Sequence, residues 1–131
     1  MKRILITAMA ILLMTQFALV RDAFVGTWKI TVSPDEEAIQ NKAKEFKDTV
    51  IFKGSQFESA ELKKKGFPAT TYEEDTRGGI AATFKCEMKS EKEGKAVWSG
   101  MSTGVDITGE MTWTKADGTE LKYTFKGEKQ R

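Results

Sequence analysis

From Gly26 onward, apolar residues recur at every second position. Trp28, Ile30 and Val32 alternate with Thr27, Lys29 and Thr31, and Ile80, Ala82, Phe84, Cys86 and Met88 alternate with Ala81, Thr83, Lys85, Glu87 and Lys89. The same period runs through Val105, Ile107, Gly109, Met111 and Trp113, and again through Leu121, Tyr123 and Phe125. A period of two with Thr, Lys and Glu on the other phase describes antiparallel strands with one face in water. Turn residues fall between the runs: Gly54-Ser55, Gly66-Phe67-Pro68, Gly78-Gly79, Glu93-Gly94, Thr103-Gly104 and Asp117-Gly118. The pattern predicts eight strands, near residues 24–32, 48–53, 56–63, 69–75, 80–89, 95–102, 105–114 and 119–128. Eight sequential strands joined by short turns predict an all-β, up-and-down (meander) barrel, because closure removes the edges that a single sheet leaves unpaired. A two-sheet sandwich is the alternative, but no long crossover follows residue 47.

One segment breaks the alternation. Ser33-Pro34-Asp35-Glu36 reads as a helix-capping box with Pro34 at the first helical position, which predicts one short helix from Pro34 to about Phe46. Such a helix could lie as a lid or plug over one mouth of the barrel. In the second strand, Val50 and Phe52 compete with Ile51 for the inner face, and Lys63-Lys64-Lys65 obscure the end of the third.

The first twenty residues follow a different rule. Lys2 and Arg3 precede an apolar run from Ile4 to Met14, interrupted only by Thr7, which reads as a secretory signal. Cleavage after Ala18 places Gln16 three residues back, and cleavage after Val20 follows a β-branched residue. The rival reading is an uncleaved anchor over Ile4–Val20, at the lower limit of a membrane span. The chain therefore divides into a leader, 1–20, and one barrel domain, 21–131, expected in the periplasm or outside the cell.

The leader also explains the charge. The 131 residues carry 21 basic and 19 acidic side chains; without Lys2 and Arg3 the two are equal. A neutral domain of mixed charge offers no footprint for nucleic acid. With no histidine and one cysteine, Ser-His-Asp and Cys-His catalysis, an intrachain disulfide and a Cys- or His-rich zinc site are all excluded. No nucleophile–base pair is present, so the expectation is a protein that is not an enzyme and holds no cofactor or metal.

The inward phase is rich in rings. Trp28, Phe84, Trp98, Met111, Trp113, Tyr123 and Phe125 are the candidate lining of an apolar ligand pocket. An eight-stranded barrel is just wide enough either to be filled by side chains or to hold one small ligand. Gly100 and Gly109, on the same phase, would leave space. Cys86 reads as a small buried hydrophobe, Glu73-Glu74-Asp75 with Arg77 as a solvated charged rim, and Lys63-Lys64-Lys65 as protection of a strand end.

Gly26-Thr27-Trp28 opens the first strand as Gly-X-Trp and resembles the signature of the calycins, the lipocalin and avidin group of secreted barrels. Trp98-Ser99-Gly100, Gly104 and Trp113 look like the later strands of avidin-type barrels, and the domain is similar to lipocalin-like domains of bacteria. The resemblance implies that Trp28 packs across the closed end, with a basic residue of a late strand, Lys126 or Lys129, over it. It also implies the binding of a small molecule. It does not extend to biotin, because Lys29, Ile30 and Thr31 follow Gly-X-Trp and Tyr123 stands where a late Trp is expected. Two functions remain open: a binding module for a small, largely apolar ligand, and a filled barrel that binds another protein through its surface or loops. A membrane is a partner only if the leader is retained.

Overall fold

The computed structural model describes residues 23–76 and 81–130. Residues 1–22, 77–80 and Arg131 lie outside them, and with them the expected leader, the Gly78-Gly79 turn, Arg77 and Ile80. Eight antiparallel strands close in sequence order: β1 (Gly26–Pro34), β2 (Phe46–Lys53), β3 (Gln56–Ser59), β4 (Thr70–Asp75), β5 (Ala82–Ser90), β6 (Gly94–Ser102), β7 (Asp106–Thr114) and β8 (Glu120–Lys129). Pairing of β1 with β8, Ile30 opposite Gly127 and Val32 opposite Phe125, seals the barrel. The up-and-down barrel expected from the alternation is thus the observed architecture.

Among the described residues two short helices accompany it, where the sequence predicts one. The first, α1 (Glu36–Gln40), is shorter than expected and begins later. Pro34 ends β1, and Asp35 rather than Ser33 is the cap, its carboxylate accepting from the Ala38 amide at 2.8 Å. The Ser33 hydroxyl instead donates to Glu45. The second helix, α2 (Ala60–Lys64), replaces the second half of the expected third strand. Ser59 caps it by accepting from the Leu62 amide at 3.1 Å. Lys63 and Lys64 therefore lie in a last helical turn, pairing with Glu58 and Glu61, rather than at a strand end.

Register settles the inner face. Val50 and Phe52 are buried, and Ile51 is on the outer phase. Val105, expected inside, is 66 % exposed because β7 starts one residue later. The Gly54-Ser55 hairpin is tight, with φ of 58° and 65°, the left-handed pair that a two-residue turn between twisted strands requires.

The two ends of the barrel differ. Phe24, the β2–β3 hairpin and the β6–β7 turn gather at one end; α1, α2 and the β7–β8 loop gather at the other. The first end is packed with rings. Phe24 meets Phe52 and Phe84 at 5.3 and 5.1 Å between centroids, and Phe57 and Phe125 flank Trp98 at 5.0 and 5.4 Å. Gly100 and Gly109 face each other across β6 and β7, and the space that they leave is taken by rings. A methyl group on Gly109 would lie 2.6 Å from Phe125, and one on Gly100 would lie 3.0 Å from Phe84.

Candidate functional site

The seven candidate lining residues separate by height along the barrel axis. Trp28, Phe84, Trp98 and Phe125 are in the aromatic core. Met111, Trp113 and Tyr123 line a cleft of about 470 Å³ at the helical end, with Phe46, Leu62 and Leu121. Strand register explains the grouping. Met111 pairs with Tyr123 and Trp113 with Leu121, so these four approach the β7–β8 loop. The loop from α1 to β2 supplies one wall, and α2 supplies the facing one.

Trp113 is the most constrained of them. Its indole N–H donates to the Glu93 carbonyl at 2.7 Å, and its ring meets Phe67 edge-on at 6.3 Å. The Lys65 and Lys115 ammonium groups stand 5.6 and 5.5 Å from the ring centroid, within cation–π range. Tyr123 packs its ring on Phe46 at 5.9 Å, and its hydroxyl has no hydrogen-bond partner among the described residues. Burial pushes that hydroxyl above its ordinary pKa, which keeps it protonated at neutral pH and able to donate.

The wall formed by α2 is fixed by a polar cluster absent from the sequence reading. Asp48 is buried, yet its carboxylate accepts from the Ser59 hydroxyl, the Thr49 amide at 2.8 Å and the Glu61 amide at 3.0 Å. Desolvation raises its pKa against these lowering bonds. The cluster ties the start of α2 to β2, which holds Leu62 and Lys65 at the cleft. A signal was present: Asp48 shares its phase with Val50 and Phe52, so alternation points a carboxylate inward.

Other features carry less chemistry. Cys86 is buried and its thiol is pushed up to about 12, which leaves it un-ionised and unreactive at neutral pH. Trp98 is fully buried and its N–H has no partner among the described residues. At the other end, Trp28 donates to the Phe24 carbonyl at 2.8 Å, and Lys129 lies over its ring at 5.7 Å. On the outer wall, Glu73, Lys85, Met101 and Glu110 border a broad open depression. No group of His, Cys, Asp and Glu among the described residues could hold a metal ion. Comparison of the chain with protein-family models, curated proteins and solved structures finds no match.

Proposed function

We propose that the protein is a non-enzymatic binding module for a small, largely apolar molecule, held at the helical end of the barrel. One observation carries this reading: Trp113, an inward-phase residue only partly buried, lines an open cleft whose floor includes the core residues Met111 and Tyr123. Its volume of about 470 Å³ lies within the roughly 300–1,000 Å³ of ordinary small-molecule sites. Its floor is apolar, with Phe46, Leu62, Met111, Trp113, Leu121 and Tyr123, as in such sites, and a charged rim of four lysines with Glu45 and Glu61 surrounds it. Lys129 over Trp28 is the arrangement that the calycin resemblance leads one to expect, and it supports a barrel closed at that end. The leader supports action beyond the cytoplasmic membrane.

Native mass spectrometry of the protein purified without detergent tests the proposal. An added mass that leaves on denaturation is expected. A bare mass, together with no binding of apolar probes, would overturn it in favour of a barrel that acts through protein contacts.

A further inference from the structure

Building on that reading, we infer that the cleft selects a small amphiphile with one anionic group, a carboxylate seated between Lys65 and Lys115 at the edge of the Trp113 ring. The charge around the cleft is predominantly positive. Lys42, Lys44, Lys65 and Lys115 border it, and none of the four forms a close ion pair among the described residues, although Lys115 lies near enough to Asp117 to add to the Thr119 amide bond in lowering that carboxyl's pKa. The two bordering acids are engaged elsewhere: Glu45 accepts from Ser33 at 2.8 Å, and Glu61 pairs with Lys64 at 3.1 Å.

Both key lysines sit on fixed backbone. Lys65 is the C-cap of α2, and its amide donates to the Leu62 carbonyl at 3.0 Å. Lys115 closes the β7–β8 loop, donating its amide to the Thr119 carbonyl at 2.8 Å and accepting from the Gly118 amide at 2.9 Å. Their ammonium groups approach one ring within cation–π range, and neither holds a carboxylate in a close ion pair. A carboxylate reaching both exchanges that weak contact for charge-assisted hydrogen bonds. The apolar part of the ligand then lies over Met111, Leu121 and Tyr123.

The test compares octanoate with 1-octanol, its neutral counterpart, and octyltrimethylammonium. Calorimetry gives affinities on the full chain, and the Trp113 indole N–H resonance reports location. Octanoate should bind at least about tenfold more tightly than octanol, with the cation weakest, and the preference should shrink with added salt. The double variant Lys65→Gln/Lys115→Gln should abolish the preference, octanoate falling to the affinity that the same variant shows for octanol. Lys65→Arg/Lys115→Arg should keep the preference. If octanol binds at Trp113 as tightly as octanoate, the anionic selectivity is wrong and the apolar site stands. If octanoate binds without moving the Trp113 resonance, the placement is wrong. If no probe binds, both this inference and the ligand-binding reading fall.

Discussion

Truncating Trp113 and truncating Trp98 should have different consequences, although the two residues share a sheet face and are both tryptophan. Fully burying such a ring removes roughly 150–250 Å² from water, about 4–6 kcal/mol at 25 cal/mol per Å². Trp98 is fully buried between Phe57 and Phe125, so Trp98→Ala leaves a cavity sealed by rings, and the loss should reach about 4–5 kcal/mol. Trp113 is only partly buried, and its removal widens a cleft that water already enters. The remaining terms are a partial transfer loss and one hydrogen bond to the Glu93 carbonyl, which water can replace; together they amount to about 2–3 kcal/mol. Urea unfolding followed by far-ultraviolet circular dichroism separates the two. The neutral probe N-phenyl-1-naphthylamine, titrated at a urea-free pH 7, reads the site. Trp113→Ala should stay folded and lose at least about tenfold in probe affinity, equivalent to about 1.4 kcal/mol. Trp98→Phe, which keeps a ring and removes an unpartnered buried donor, should leave affinity unchanged and cost under about 1.5 kcal/mol. Equal destabilisation by Trp113→Ala and Trp98→Ala, with probe affinity untouched in Trp113→Ala, would refute the division of the barrel into core and cleft.

Three further substitutions test the frame around the site. Asp48→Asn keeps acceptors for the Thr49 and Glu61 amides and removes a buried charge, so at pH 7 it should lie within about 1 kcal/mol of wild type. Because the folded-state pKa of Asp48 is raised, wild-type stability from this group is present below the unfolded carboxylate value and is lost as pH rises through the folded one; urea titrations from pH 4 to 7 should show the difference moving in favour of wild type on acidification. Lys42 holds a φ of 68°, and Lys42→Gly should raise stability by about 0.5–1 kcal/mol in the same assay, by relieving a left-handed side-chain clash. Gly109→Ala would place a methyl group 2.1 Å from the Ser99 carbonyl and 2.6 Å from Phe125, and calorimetry should show a fall in Tm of about 5–15 °C.

Alternation reports which side of a strand faces inward, and it identified the barrel because nearly every strand keeps one phase over its length. It failed where phase was ambiguous or changed. Val50, Ile51 and Phe52 are all apolar, so only pairing with β1 and β3 orients them. At α2 the phase breaks: Phe57 and Ser59 are buried at odd positions, then Leu62 at an even one. That shift, over the helix-forming run Ala60-Glu61-Leu62-Lys63-Lys64 behind a capping serine, marked a helix that strand reading passed over. Period two also carries no height along the axis. Trp98 and Trp113 are both inward, yet one is core and the other lines the cleft, and only distance from the β7–β8 loop tells them apart. The expected room beside Gly100 and Gly109 was misjudged for a similar reason, because the rings that fill it come from β5 and β8.

The most direct test of a ligand site at the helical end is a resonance map of the full chain with ¹⁵N-labelled indoles and ¹³C-labelled methionine methyls. On addition of N-phenyl-1-naphthylamine, the account predicts saturable shifts of Trp113 and Met111, with Trp28 and Trp98 unmoved. Shifts at Trp28 and Trp98 with Trp113 and Met111 unmoved, or no saturable shift at all, would contradict it.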